Sequence, residues 1–468
     1  MINFKTHPLE YLNPRPLKHA SKELEHLIKT KLWAKVLFAL FIGIITGILL
    51  NPTTGFVKEE TGLLIGEWLA LPGNIFLALI QMIVIPLVFA SIVRGISASE
   101  NLEQLKKSGL FIVIYFLLTT LLAVLIGITL VSLINPGQYV NLESNLKTPI
   151  QTNMDLFNSN QSLPQTIVQI IPTNLFSAVL NTQFLQIIIF SIIFGIALIN
   201  MDPKQSKPLL ELLGALQTVS MTIIKWAMIL VPLTVFGFMS RAIIQFGFDI
   251  LFGMIFYVLT VIIGLILMLL IYALIVYVFS GLKPIEFFKK SKELQLLAFS
   301  TSSSAAVMPF SMKTAEDKLN VRSSISQFVI PIGTTINMNG TAIYQSIAII
   351  FLAQVFGVEL AMGAILLIIL TVIGSSIGAP GTPGVGIIIL AAILGSVGIP
   401  VAGIALIIGF DRILDMCRTV VNVTGDITAA VVLNKLIKSN KSNEELKKNE
   451  IKLEKIRETQ LSDVIIAS

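Results

Sequence analysis

The sequence predicts an all-α multi-pass membrane protein with eight transmembrane helices and two re-entrant helical hairpins. Its composition is the first sign, because 54% of the 468 residues are hydrophobic and 13% are charged, about half the charged fraction of a soluble protein. The mean hydropathy of +0.86 is the second. The third is the recurrence of apolar runs of about 20 residues, the length that spans a bilayer as a helix.

The composition also excludes several classes of function. Cys417 is the single cysteine, and all three histidines lie in the polar N-terminal segment. The apolar part of the chain therefore lacks the residues for a His/Cys metal site, a Ser/His/Asp triad or an imidazole proton relay. We expect no enzyme activity. The net charge of +6 serves to orient a membrane protein, so we expect no nucleic-acid partner.

Six apolar runs come first, and each predicts a membrane span. They cover 33–50, 62–93, 109–134, 174–199, 208–240 and 250–280. When Lys and Arg are sorted by loop, 27 of the 33 fall in the N-terminal segment, in every second loop or in the tail. By the positive-inside rule these regions face the cytoplasm. The prediction is a protein of the cell (inner) membrane with both termini in the cytoplasm.

The polar segments divide the chain further. We expect a cytoplasmic segment at 1–32, a membrane domain at 33–437 and a cytoplasmic tail at 438–468. The mixed Lys and Glu of the tail predict a solvated helix. The stretch 135–165 is rich in Asn, Gln, Ser and Pro and poor in charge, which is typical of a flexible external loop.

Two later segments break the alternation of loops. The first, 294–312, has cations on both sides, so it predicts a re-entrant hairpin from the cytoplasm with Thr301 to Ser304 at its tip. The second, 361–399, is interrupted by GAPGTPG at 378–384, and its halves of about 16 residues are too short to cross a core of about 30 Å. Its flanks lack cations, which predicts entry from outside. Two oppositely oriented broken hairpins indicate inverted repeats.

The last apolar segment carries the strongest functional signal, five polar residues at spacings of 4, 3, 4 and 4. They are Asp411, Asp415, Arg418, Asn422 and Asp426. This spacing places them on one face of a helix. Each unpaired charge near the middle of a membrane costs about 2.5 to 3.5 kcal/mol, so ions, substrate, water or partner residues must compensate it. A structural ladder of salt bridges is the alternative, although Thr419 and Thr424 add uncharged ligands that a ladder does not need.

The segment PIGTTINMNGTAIYQ at 331–345 predicts a broken helix. Gly333, Asn337, Asn339 and Gly340 would weaken the helix in the middle of an apolar run. Carbonyl oxygens freed by the break, together with amide oxygens, suit a hard monovalent cation such as sodium. A kinked structural helix whose asparagines bond across an interface is the alternative. The hairpin tips offer serine hydroxyls and half-helix N-termini to a carboxylate.

Four segments, STSSSAAVMP, GTTINMNGTA, SSIGAPGTPGVG and DRILDMCRTVVNVTGD, resemble in order and spacing the motifs of the glutamate transporter family, the dicarboxylate/amino acid:cation symporters. The resemblance runs from about 33 to 437. It implies a homotrimer in the lipid bilayer that imports aspartate or glutamate with sodium. A proton-coupled glutamate/aspartate symporter or a C4-dicarboxylate symporter of the same fold is the alternative. It also implies an elevator, with a scaffold at roughly 33–93 and 174–245 and a moving transport part at roughly 109–134 and 250–437.

The resemblance also assigns a substrate site, residue by residue. It comprises Ser303, Ser304, Thr341, Thr382, Pro383, Gly386, Asp415, Arg418, Thr419 and Asn422. By this likeness Asp415 would bind the amino group of the substrate and Arg418 its side-chain carboxylate. Asn422 and Thr419 would assist at the main-chain end, Ser304 would contact a carboxylate, and the second hairpin would act as the gate.

Three sodium sites are implied by the same resemblance. The first comprises Gly333, Asn337, Asn422 and Asp426, the second uses backbone carbonyls near Thr335, Ser376, Ile377 and Ala379, and the third comprises Thr119, Thr120, Asn337 and Asn339. The third departs from the family pattern, because Asn339 stands in place of an aspartate and Phe116 in place of a tyrosine. Loss of the carboxylate weakens a cation site. Two or more sodium ions are therefore expected, and fewer sodium ions or partial use of protons stays open.

Two hypotheses of other classes remain. An intramembrane hydrolase would use Ser302 to Ser304 or a pair of aspartates, but no histidine lies in the membrane part, and Val423 stands where a GxGD-type protease has glycine. An anion channel or sensor could be built on the transporter fold, and counterflow exchange of labelled substrate separates it from a carrier.

Overall fold

Within the residues that the structure describes, every regular element is a helix. A computed structural model describes the backbone of residues 32–54, 56–97, 102–140, 168, 170–247 and 250–466, and the side chains of these except 32–34, 102–110 and 438–466. The helices are α1 (Leu32–Leu50), α2 (Glu59–Ser97), α3 (Leu102–Ile134), α4 (Leu175–Leu180), α5 (Phe184–Ile199), α6 (Pro203–Ile229), α7 (Val231–Phe246), α8 (Ile250–Ser280), α9 (Pro284–Thr301), α10 (Ser304–Lys313), α11 (Ser323–Ile336), α12 (Asn339–Val355), α13 (Met362–Ser376), α14 (Val385–Ser396) and α15 (Ile404–Ile466).

Five helical stretches of the described chain are long and apolar enough to cross a membrane. They are Glu59–Ser97, Phe111–Tyr139, Pro203–Ile229, Ile250–Ser280 and Ser323–Val355. Shorter apolar helices include α1, α5, α7, α13 and α14. The prediction of an all-helical membrane protein is confirmed, whereas the count of eight spans with two re-entrant hairpins stays a prediction.

The helices pack in two sets. α7 lies against α1 and α2, and α2 also packs against α5 and α6. In the second set α15 contacts α8, α9, α11 and α12, while α3 packs against α12 and α8. The two sets meet where α15 contacts α7 and α1, α14 contacts α2, and α13 contacts α5.

Two predicted spans are divided in the structure. The run 174–199 breaks between α4 and α5, where Thr182 has a φ of 52°, so the continuous helix that remains is 16 residues long. The run 208–240 divides at Leu230, because Pro232 at the start of α7 has no N–H to continue the backbone ladder. Apolar composition alone does not reveal such breaks.

The hairpins and the tail differ in extent from their predictions. Hairpin 1 comprises α9, α10 and the tip Ser302–Ser303. It begins ten residues before the predicted position 294, because α9 starts at Pro284. Proline is favoured as the first residue of a helix. Hairpin 2 (α13, α14 and the loop 377–384) has arms of 15 and 12 residues. α15 continues through position 437 to Ile466. The predicted N-terminal segment up to 31 and the external loop from 141 to 165 lie outside the described residues.

The crossing of α2 and α7 depends on a glycine. A Cβ atom added to Gly237 would overlap the backbone carbonyl of Leu69. Small residues at such crossings let two membrane helices approach closely. We therefore expect Gly237→Ala to force the helices apart and to destabilise the protein by about 1–3 kcal/mol.

Thermal unfolding in detergent, followed by size-exclusion chromatography, measures this effect. Gly395→Ala on α14 is the matched control, since its added Cβ would have no neighbour closer than 3.8 Å. Equal melting temperatures for the two variants would contradict the close-packing argument.

Candidate functional site

The five polar residues of α15 lie on one buried face, as their spacing predicts. Asp411, Asp415, Arg418, Asn422 and Asp426 are all less than 10% exposed. The helix runs without a break from Ile404 through all of them. Charges and amides that a soluble protein would hold in water are thus enclosed among apolar helices, and their partners define the site.

Arg418 is the centre of an ion-paired cluster. One of its terminal nitrogens, Nη2, lies 2.8 Å from Asp415 Oδ1 and 3.2 Å from Asp411 Oδ1. The guanidinium carbon lies 3.8 Å from the ring centroid of Tyr344 on α12, a cation–π contact. Among the described residues its Nε and Nη1 have no hydrogen-bond partner, so two donors stay available to a planar carboxylate.

The tips of the two hairpins meet above this cluster. The Ser303 hydroxyl donates to the Gly381 carbonyl at 2.7 Å, and the Ala305 N–H donates to the same carbonyl at 3.1 Å. Ser303 also caps α10 by accepting from Ala306. The Gly384 N–H of hairpin 2 donates to Asp415 Oδ2 at 3.0 Å. Both hairpins are thereby held over α15.

A narrow cleft lies between the tips, α12 and α15. Seven residues of the predicted substrate site line it: Ser304, Thr341, Thr382, Gly386, Asp415, Thr419 and Asn422. Six further lining residues are Ser302, Met338, Ala379, Pro380, Gly381 and Val385. All six lie in the four sequence motifs, but none of them was assigned to the substrate site.

Three predicted substrate residues do not line the cleft. The Ser303 hydroxyl donates its hydrogen bond to the other hairpin, at the Gly381 carbonyl. Pro383 lies in the loop between Thr382 and Gly384. Arg418 lies behind Gly386, where an added Cβ would come within 2.8 Å of Arg418 Nη1. Absence of a side chain at Gly386 therefore leaves the guanidinium close to the cleft.

The predicted break in the helix at 331–345 falls at Asn337 and Met338, between α11 and α12. Asn337 Nδ2 donates to Asp426 Oδ1 at 2.8 Å and to the Asn422 carbonyl at 3.0 Å. The Gly340 N–H donates to the side-chain oxygen of Asn422 at 2.7 Å. The Asn337 side-chain amide and the Gly340 N–H at the break thus donate hydrogen bonds to two residues of the α15 stripe, Asn422 and Asp426.

The four residues of the first predicted sodium site are brought together here. Gly333 lies so close to Asp426 that an added Cβ would overlap the carboxylate. Asp426 is 1% exposed and pairs with no Lys or Arg of the described chain. The carbonyl oxygen of the Asn337 amide is buried without a hydrogen-bond partner among the described residues. A carboxylate and a free amide oxygen fit a monovalent cation.

The second predicted sodium site lies where hairpin 2 meets α11. The Gly378 N–H donates to the Thr335 carbonyl at 2.6 Å, which places Thr335 beside Ser376, Ile377 and Ala379. Gly378 has a φ of +85°, a conformation that glycine adopts without strain. In this arrangement the Thr335 carbonyl already accepts a hydrogen bond.

The third predicted sodium site is occupied by hydrogen bonds between neutral groups. The Thr120 hydroxyl lies 2.7 Å from Asn339 Oδ1 and 2.8 Å from the Phe116 carbonyl. Asn339 Nδ2 donates to the Tyr272 hydroxyl at 2.6 Å. The Thr119 hydroxyl donates to the Phe116 carbonyl at 3.1 Å. Both polar groups of the Asn339 amide are therefore used, one of them by Tyr272 on α8, which the sequence did not indicate.

The chain is similar to known proteins over most of its length. The model of the sodium:dicarboxylate symporter family matches 32–436. The proton/sodium-glutamate symport protein of Bacillus subtilis (strain 168) and the proton/glutamate-aspartate symporter of Escherichia coli (strain K12) are each 34% identical over 412 residues, which is 87% of this chain and 93% of the relative. The C4-dicarboxylate transport protein of Pseudomonas savastanoi pv. phaseolicola is 31% identical over 427 residues, which is 90% of this chain and 89% of the relative.

The match covers every element that contributes to the cleft. Its extent and the identity to these relatives agree with the resemblance that the four sequence motifs predicted. The chain belongs to the sodium:dicarboxylate symporter family, a family of membrane transporters rather than enzymes.

Proposed function

We propose that this protein is a secondary active symporter that imports aspartate or glutamate together with sodium. One observation carries the proposal: Asp415 and Arg418, with opposite charges and one helical turn apart, lie beside a cleft closed by both hairpin tips. An amino acid with a second carboxylate needs an anion for its amino group and a cation for its side chain. The names of the glutamate-carrying relatives support the same substrate class.

The other residues of the cleft complete the recognition. In the proposed complex Asp415 takes the amino group, and Arg418 turns its unpartnered Nε and Nη1 toward the side-chain carboxylate. Asn422 and Thr419 contact the main-chain end of the substrate. Hydroxyl groups of hairpin 1 and the N-terminus of α10 face the remaining carboxylate, where the positive end of a helix favours an anion.

C4-dicarboxylates are the alternative substrates, since one relative carries this name. These compounds lack an amino group, so Asp415 would face their carboxylates and repel them. An acidic amino acid uses both charges of the pair. We therefore favour aspartate and glutamate.

Sodium is the proposed coupling ion because Asp426 is a buried carboxylate without a cationic partner in the described chain. A cation at Asp426 and Asn337 would neutralise a charge that costs about 2.5 to 3.5 kcal/mol when left alone at mid-membrane. A second ion would lie between Thr335 and the tip of hairpin 2. This ion would share the Thr335 carbonyl with the Gly378 N–H, which would link ion binding to the position of hairpin 2.

The two sets of packed helices suggest how the substrate moves. We propose that α1, α2, α5, α6 and α7 form a scaffold, fixed in a homotrimer, and that α3 with α8 to α15 moves as an elevator in the inner membrane. In this arrangement the contacts of α15 with α7 and α1, of α14 with α2 and of α13 with α5 must slide. The distribution of Lys and Arg supports a cytoplasmic location for both termini.

Uptake into proteoliposomes tests the proposed function. Purified protein should accumulate labelled aspartate or glutamate when an inward sodium gradient is imposed, and Asp426→Asn should remove this drive because the variant lacks the buried carboxylate. Glu293→Gln is the control, since this carboxylate is exposed and pairs with Lys318. Absence of uptake under both a sodium gradient and a pH gradient would refute the proposal. Uptake under the pH gradient alone would replace sodium by protons.

Asn339 and Tyr272 generate a prediction for the number of coupled ions. Asn339→Asp should add one sodium ion per substrate, because a carboxylate at this buried position requires a cation. Asn339→Leu should leave the ion number unchanged, since the amide is already spent on Thr120 and Tyr272. The ratio of labelled sodium to labelled aspartate taken up measures both.

Tyr272→Phe is the matched control, because it removes a hydroxyl without changing the charge, and it should keep the native ratio. A ratio that falls in Asn339→Leu would show that the native amide binds an ion. A ratio unchanged in Asn339→Asp would contradict the charge argument.

A further inference from the structure

Arg412 is a largely enclosed cation that has no part in the proposed binding of substrate or sodium. It lies beside the polar stripe of α15, and its side chain is 11% exposed. Its Nη1 forms an ion pair with Asp415 Oδ2 at 3.5 Å. This contact is not a hydrogen bond, and neither Nε nor Nη1 has a hydrogen-bond partner in the described chain. A cation within the membrane costs free energy unless it is compensated. The ion pair with Asp415 supplies compensation, and this pair suggests a role for Arg412.

Asp415 divides its two oxygens between different partners. Oδ1 accepts from Arg418 at 2.8 Å. Oδ2 accepts from the Gly384 N–H of hairpin 2 at 3.0 Å and pairs with Arg412. The hydrogen bond that holds the gate closed and the ion pair with Arg412 therefore share one oxygen atom.

Arg412 approaches Asp415 from outside the substrate cleft. It lines a second, narrow cavity between the proposed scaffold and the moving part. Phe76, Met228 and Val231 form the scaffold side of this cavity, and Arg412 itself does not line the cleft. Arg412 can thus neutralise Asp415 without entering the volume that a substrate would fill.

The charges of the cluster balance only when Arg412 is included. Asp411 and Asp415 carry two negative charges, and Arg418 alone supplies one positive charge. A bound acidic amino acid would bring its own ammonium group to Asp415, while Arg418 and hairpin 1 receive its two carboxylates, but an empty carrier has no ammonium group there. A buried carboxylate that lacks a partner strongly disfavours closed, water-free states.

We propose that Arg412 is a positioning residue that takes the place of the substrate's amino group at Asp415, so that hairpin 2 can close over an empty cleft and the carrier can return. The inference rests on the proposed function, because it requires a substrate amino group at Asp415. By this inference Arg412 neutralises Asp415 when the carrier is empty, and the ammonium group of the substrate neutralises Asp415 when the carrier is loaded.

Net uptake and exchange in proteoliposomes distinguish these halves. Net uptake over many turnovers needs return of the empty carrier, whereas exchange against internal unlabelled aspartate does not. In Arg412→Gln we expect net uptake of labelled aspartate to fall by about tenfold or more and exchange to stay within about twofold of the native rate. Arg412→Lys should recover much of the net uptake, and Lys225→Gln, which removes an exposed cation from the scaffold helix α6, should change neither rate.

Equal losses of exchange and net uptake in Arg412→Gln, or no loss of either, would overturn the inference. Native protein that carries no aspartate would instead refute the proposed function. Hydrogen exchange of the peptide 378–384 in aspartate-free protein gives a second readout that does not depend on transport. It should be faster in Arg412→Gln than in the native protein, and equal protection in the two would also overturn the role of Arg412.

Discussion

Arg418 and its two carboxylate partners are buried among the helices, and their ion pairing constrains the elements nearby. Each charge left alone at such a depth costs about 2.5 to 3.5 kcal/mol. α12 must present Tyr344 to the guanidinium at 3.8 Å, α14 must pass it at Gly386 without a side chain, and hairpin 2 must bring a backbone N–H to Asp415. The broken and re-entrant helices are the means by which backbone groups reach these charges.

Asp426, two turns after Arg418 on the same helix, is stabilised differently. No arginine reaches it in the described chain, and its carboxylate accepts a hydrogen bond from Asn337 at the break between α11 and α12. Asn422 lies between the two regions, since its carbonyl accepts from Asn337 while its side chain lines the cleft. In the proposed mechanism this connection makes the ion site and the substrate site parts of one structure, so that occupation of one organises the other.

Much of this arrangement follows from sequence because it rests on periodicity. The stripe from Asp411 to Asp426 requires only helical spacing, and the break at Asn337 requires only polar and flexible residues within an apolar run. The four family motifs contain all of the residues that line the cleft. The rest depends on three-dimensional contacts that no local pattern encodes.

Tyr272 illustrates this limit. It is one aromatic residue in an apolar helix, and its role appears only when α8 places its hydroxyl 2.6 Å from the Asn339 amide. Arg412 was visible as a charge, but its approach to Asp415 from the scaffold side depends on how α15 faces α2 and α6. The divisions of the fourth and fifth apolar runs had local signals, the polar residues Asn181 to Gln183 and Pro232, which hydropathy averaged over a whole run does not register.

The central claim is that Asp415 selects the amino group of the substrate while Arg418 selects its second carboxylate. Isothermal titration of aspartate and of succinate into purified native protein and Asp415→Asn, in sodium buffer, tests it most directly. The account predicts that the variant loses aspartate affinity by about a hundredfold or more, whereas its affinity for succinate, which lacks an amino group, does not fall. Aspartate binding of native strength in Asp415→Asn would contradict the account.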